Sequence, residues 1–132
     1  MARKSDDNFD ISNTTKGKLS SLPFVSIKNA IVGDTYELSL VFIGDKRSRT
    51  LNRIYRDKDK VANVLSFPLS KTEGEIFLNL RRARIEAKKF DKTFVQFAGF
   101  LFIHGLLHLK GMDHGSRMEQ QEEIFVKKFK LS

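Results

Sequence analysis

Apolar residues along the chain follow two rhythms, a period of two and a period near 3.6, and their alternation predicts the elements. Thr35 to Ile43 is the clearest strand. Tyr36, Leu38, Leu40 and Phe42 share one face, while Val41 and Ile43 predict burial of the other toward its end. Asn63–Pro68 is short, apolar and stopped by proline, so it reads as a second strand. A turn at Glu73-Gly74 leads into a third, Glu75–Leu80, with Ile76, Leu78 and Leu80 on one side. Phe9 and Ile11 alternate with polar neighbours and mark a short fourth strand. Residues 1–7 read as a flexible polar arm.

Five helices fill the intervals. Leu22, Phe24, Ile27, Ala30 and Ile31 keep a helical rhythm, with Ser20 or Ser21 as N-cap, Pro23 in the first turn, and Gly33-Asp34 as the stop. Asp45 is the expected N-cap of the next helix, whose inner stripe is Leu51, Ile54 and Tyr55. Asn79 caps a third, with Ala83, Ala87 and Phe90 inward. Thr93-x-x-Gln96 is a capping box that opens a run from Phe94 to Leu109, apolar nearly all round and therefore a buried central helix. Ser116-x-x-Glu119 is a second capping box before a terminal helix with Met118, Phe125 and Phe129 inward. Strands joined by a short turn pair antiparallel and strands separated by helices can pair parallel, which predicts a mixed sheet. The fold class is α/β with an α+β-like character: about four strands packed against helices, in one domain spanning 1–132.

Composition narrows the class. With 40% hydrophobic residues, twelve phenylalanines and 30% charged residues, the chain reads as a soluble globular domain. It has no cysteine, so neither disulfides nor thiolate ligands are available, which fits a reducing cytoplasm. No apolar targeting stretch stands at the N-terminus, and the central apolar run is too short and too interrupted for a membrane span.

All three histidines lie in His104-Gly-Leu-Leu-His108-Leu-Lys-Gly111-Met-Asp113-His114. His104 and His108, four apart on a helix, present their rings on one face. Gly111 permits the turn that returns His114 toward the same point. Three imidazoles with a fourth position left for water form the ligand set of a catalytic zinc site. In the zinc-protease helix motif a glutamate follows the first histidine, whereas here that position is Gly105, which disfavours peptide hydrolysis. Gly99 and Gly105 predict close approach of another element to the helix, and at Gly105 room beside the metal is the alternative.

Charge selects the substrate. The net charge of +8 is concentrated in Lys46, Arg47, Arg49, Arg53, Arg56, Lys58 and Lys60, and again in Arg81, Arg82, Arg84, Lys88, Lys89 and Lys92. Beside a metal site, two basic segments point to a nucleic-acid polyanion.

Two segments together carry a resemblance to the YbeY family of bacterial endoribonucleases. One is the histidine stretch, matching H-G-x-L-H-L-x-G-x-D-H; the other is Leu51-Asn-Arg-Ile-Tyr-Arg56-Asp-Lys-Asp59 running into Asn63-Val-Leu-Ser-Phe-Pro68. The match runs from about Thr35 to the C-terminus, with Ala62-Asn63 where the family often has Thr-Asp and Glu75 for aspartate. The resemblance implies a small, mostly parallel sheet and one zinc per chain on His104, His108 and His114. It implies single-strand-preferring cleavage of ribosomal RNA, in maturation of the small-subunit 3′ end and in ribosome quality control. Its implied partners are the small ribosomal subunit and a ribosome-associated GTPase, with no membrane and no DNA. Arg56 and His114 are the candidate catalytic residues, Arg56 holding a non-bridging phosphate oxygen. Asp113 is expected to orient a ligand imidazole, with capping of the turn after Gly111 as its other reading. Asn63 and Ser66 either line the cleft or serve strand packing. Two other functions stay open from the residues: a ribosome-binding assembly factor with a structural zinc, and a metal-dependent hydrolase of another substrate.

Overall fold

The computed structural model describes residues 2–6, 8–19 and 21–132. Its elements run β1 (Ala2–Asp6), β2 (Phe9–Asn13), α1 (Phe24–Val32), β3 (Glu37–Ile43), α2 (Asp45–Arg56), β4 (Val64–Ser70), β5 (Glu73–Asn79), α3 (Leu80–Lys89), α4 (Phe94–Leu109) and α5 (Ser116–Lys128). One mixed sheet has the order β1-β2-β3-β5-β4. The inner pairs β2–β3 and β3–β5 are parallel, and the outer pairs β1–β2 and β4–β5 are antiparallel.

The four expected strands are present, and Ala2–Asp6 adds a fifth where an arm was expected. An edge strand needs main-chain partners on one side only, so a polar segment can form one without an apolar signature. Met1 and Asp7, the rest of that expected arm, lie outside the described residues. The β4–β5 turn falls at Lys71-Thr72, and Glu73-Gly74 belongs to β5. Pro68 sits in β4 at the sheet edge, where its missing donor is tolerated.

The main core lies between one sheet face and α1, α4 and α5. It joins Leu38, Leu40 and Phe42 of β3, Ile76 and Leu78 of β5, and Leu101, Phe102, Leu106 and Leu107 of α4. On the other face Ile43, Leu65 and Phe77 form a smaller cluster with Leu51 of α2. The central position of α4 follows from its all-round apolarity, and its start is the expected box: Gln96 N donates to Thr93 Oγ1 at 3.1 Å and Thr93 N to Gln96 Oε1 at 3.0 Å. Leu131 presses on Gly99, where an added Cβ would stand 2.6 Å from its Cδ1. At Gly105 an added Cβ would stand 2.9 Å from Ser66 Oγ and 3.1 Å from Ile76 Cδ1, so this glycine lets the sheet approach α4. No single described helix is long and apolar enough to cross a membrane.

Several cap and stripe expectations are corrected. Pro23, not a serine, precedes the first residue of α1; Ser21 makes no cap, and Ser20 lies outside the described residues. In the same helix Ala30 is exposed and Lys28 is buried. Gly44 and Gly115 precede α2 and α5 without side-chain caps, so Asp45 and Ser116 are first helical residues and the second capping box is absent. Asp45 instead accepts from Asn79 Nδ2 at 2.9 Å and pairs with Arg81, tying α2 to the start of α3. Asn79 caps α3 as expected, accepting from Arg82 N at 3.1 Å.

The inner face of α2 is the largest departure. Ile54 and Tyr55 are 62% and 67% exposed, and the buried residues are Ser48 and Asn52. Ser48 Oγ donates to Ala62 O and accepts from Ala62 N, both at 2.8 Å, and Asn52 Nδ2 donates to Lys60 O at 3.0 Å. Thus α2 turns polar side chains inward because the main chain of the 57–62 loop needs partners there. Phe90 of the α3 C-cap is likewise turned out, 61% exposed, while Ala83 and Ala87 fill the inner positions.

Candidate metal centre

His104 and His108 project from successive turns of α4, and a tight reversal brings His114 to them. Gly111, at φ 101°, donates its N–H to His108 O at 2.9 Å, and Met112 N donates to Leu107 O at 3.0 Å. These two bonds are a Schellman closure, which satisfies the last helix carbonyls and turns the chain back. The ring centroids stand 4.6 Å apart for His104–His108 and His108–His114, and 5.2 Å for His104–His114. One ligand nitrogen from each ring lies within 4.8 Å of the others. The spacing argument therefore holds in three dimensions: all three imidazoles meet.

The rings are held from behind. His104 Nδ1 is 2.7 Å from Glu122 Oε2, a carboxylate that α5 buries, and His108 Nδ1 is 3.0 Å from the Met112 carbonyl. With both Nδ1 atoms donating to these oxygens, the Nε2 lone pairs of His104 and His108 face each other at 3.1 Å. Two bare lone pairs at that distance repel unless a cation lies between them. Tetrahedral zinc with Zn–N bonds of about 2.0–2.1 Å places its nitrogens roughly 3.3–3.4 Å apart, so the donor set fits. The His108 imidazole is held below the usual histidine pKa, first by burial and next by its neighbour His104, beside which a second proton's charge is disfavoured, with His114 and Arg56 adding to it. The Met112 carbonyl opposes that shift. The balance keeps the His108 lone pair free for a metal.

Asp113, the expected orienting carboxylate, is exposed and makes no hydrogen bond to any of the three rings; Glu122 holds that position. The signal in the sequence was faint: Glu122 falls one turn after Met118 on the inward stripe of α5, where a carboxylate needs a partner.

Arg56 ends α2 on the same side of the molecule. Its Nη2 donates to Ser66 O at 3.1 Å, its guanidinium lies 5.7 Å from the Phe67 ring centre, and Ser66 Oγ reaches Gly105 O at 3.1 Å. Ser66 thus links Arg56 to the turn of α4 that carries His104, a packing role. Asn63 does line the cleft, and its Nδ2 donates to Glu86 Oε1 at 2.8 Å. The basic segments are partly committed. Arg49 makes a two-pronged pair with Asp59 at 2.9 and 3.2 Å, Arg82 pairs with Glu86 at 3.0 Å, and Arg84 covers Phe94 at 4.0 Å.

The family model described as Endoribonuclease YbeY matches residues 3–131. The chain belongs to the YbeY family. This extends the match through the N-terminal third, where the two motifs were silent. The chain is similar to "Endoribonuclease YbeY" of Alkaliphilus metalliredigens, 39% identical over 98 residues that cover 66% of this chain and 63% of that relative, less than two thirds of its length. The YbeY protein of Aliarcobacter butzleri is 33% identical over 132 residues, 92% of each chain. Among solved structures, TM1509 from Thermotoga maritima superposes with a TM-score of 0.67 at 27% identity, covering 92% of this chain and 88% of that one. The YbeY-like α/β architecture expected from the sequence is therefore the observed one.

Proposed function

We propose that this chain is a zinc-dependent endoribonuclease that cleaves single-stranded segments of ribosomal RNA in the cytoplasm. The observation that carries the reading is the pair of Nε2 lone pairs facing each other at 3.1 Å, with His114 beside them and Arg56 linked to the same helix turn through Ser66. The relatives' name, Endoribonuclease YbeY, supports the reaction class.

His104, His108 and His114 would hold the metal. Bound there, zinc supplies Lewis acidity at a phosphoryl oxygen and toward water. The protein's own groups do the rest. Glu122 and the Met112 carbonyl fix the tautomers of His104 and His108. Arg56 spends one donor on Ser66 O and keeps the others for a non-bridging oxygen, whose charge grows as the phosphate becomes pentacoordinate. Lys46, Arg47 and Arg53 on exposed α2 draw the polyanion to that face. Within this reading the substrates are the small-subunit RNA 3′ end and the RNA of defective ribosomes, and the partners are the small subunit and a ribosome-associated GTPase.

The test is cleavage of ribosomal RNA measured beside metal content. Arg56→Ala keeps one zinc per chain and loses about 10²–10³-fold in rate. His108→Ala loses both zinc and cleavage. Cleavage that survives both substitutions would end the proposal. Normal RNA processing in Arg56→Ala with unfolding in His108→Ala would make the metal structural and the protein an assembly factor.

A further inference from the structure

Beside the three imidazoles lies a cavity of about 480 Å³, within the range of ligand pockets. His104 and His114 form part of its wall, and His108 does not. One side is a run of aromatic rings. Phe90 stacks on Phe97 at 5.2 Å and 15°, Phe97 on Phe100 at 6.0 Å and 23°, and Phe100 leans on His104 at 6.1 Å and 33°. Phe97 is core, Phe100 is half-buried, and Phe90 stands exposed at the end of α3. An exposed phenylalanine at the mouth of a pocket that ends at a metal centre offers a face to a flat ligand.

The polar wall decides which part of a nucleotide fits. Three carboxylates line it, Glu86, Glu119 and Glu122, beside one lysine, Lys92; Glu86 is already paired with Arg82 and Asn63, and Glu122 with His104. The excess of carboxylates over Lys92 disfavours a phosphate, and Glu119 is left to accept from the N–H groups of a neutral heterocycle. Asn63 commits its amide nitrogen to Glu86, which leaves its oxygen to accept from a base edge. Arg56 is absent from this wall and lies on the His108 side, which leaves Lys92 as the only lysine or arginine among the lining residues.

We propose that this cavity receives one unpaired nucleobase of the RNA strand, stacked on Phe90, beside the phosphate presented to the histidines. The inference rests on the endoribonuclease reading and adds a positioning site to it. Base stacking on an aromatic side chain tolerates any base, so the pocket selects for an unstacked strand more than for a sequence.

The probe is a short single-stranded 2′-O-methyl RNA carrying 2-aminopurine at each position in turn, titrated with zinc-loaded protein. At one position the fluorescence is quenched on binding. Phe90→Ala weakens that oligonucleotide about tenfold and Phe90→Trp restores it. An abasic nucleotide at the same position costs the wild type as much and costs Phe90→Ala nothing further. Wild-type affinity in Phe90→Ala, or losses from the abasic site and Phe90→Ala that multiply, would overturn the pocket while ribosomal RNA cleavage still stood. A protein that neither cleaves ribosomal RNA nor binds the probe would overturn the function and the pocket together.

Discussion

Glu122 Oε2 lies 2.7 Å from His104 Nδ1, joining the terminal helix α5 to the central helix α4 across 18 residues of sequence. The carboxylate is buried and its partner half-buried. A charged acceptor behind a ligand imidazole fixes the tautomer and raises the basicity of the coordinating nitrogen. Glu122→Gln therefore lowers zinc affinity about 10–100-fold, measured by competition with a chelator, and Glu122→Ala lowers it more. Asp113→Asn leaves it unchanged. Equal losses from the Glu122 and Asp113 substitutions would return Asp113 to the role expected of it.

Gly105→Ala should destabilise the fold although alanine is the better helix former. The helix propensity gain is about 1 kcal/mol. Against it, a Cβ 2.9 Å from Ser66 Oγ and 3.1 Å from Ile76 Cδ1 overpacks the contact between α4 and the sheet, a cost of about 1–3 kcal/mol. The urea midpoint of the metal-free protein should fall. A higher midpoint would mean that β4 and β5 yield freely.

The two faces of α2 predict opposite sensitivities. Asn52→Ala removes a part-buried hydrogen bond to the Lys60 carbonyl and costs about 0.5–1.5 kcal/mol. Ile54→Ala, on the exposed side, stays within about 0.5 kcal/mol of wild type. Thermal or urea unfolding of the pair decides; the reverse ranking would restore Ile54 to the inner stripe.

The depressed pKa of His108 makes the stability of the metal-free protein depend on pH. The folded-state value lies below the usual histidine value of about 6.5. Between the two, the unfolded chain binds a proton that the folded chain refuses, so stability rises with pH through that window. The full contribution is present above about pH 6.5 and is lost as pH falls through the folded-state pKa. Urea titrations of metal-free protein across this range should show that slope, flattened in His108→Gln. An identical slope in the variant would assign the pH dependence to other groups.

Legible from spacing alone was the local part of this protein: the three histidines that meet, the buried helix that carries two of them, the Gly111 reversal and the Thr93–Gln96 box. Each depends on residues within a turn or two of one another, where helical period and hydrogen-bond reach follow from spacing alone. The family resemblance added Arg56, whose place beside Ser66 no periodicity could supply. Tertiary structure alone decided which face of α2 turns inward, because the unpaired main chain of the 57–62 loop outweighed the apolar stripe. It also decided that Glu122 rather than Asp113 stands behind His104, since that choice depends on how α5 packs on α4. Gly105 was ambiguous between room for a metal and room for a strand until Ser66 and Ile76 were seen against it. Three histidines at a suggestive spacing name a metal site; the carboxylate, the carbonyl and the aromatic wall that shape it come from segments that meet only when the chain has folded.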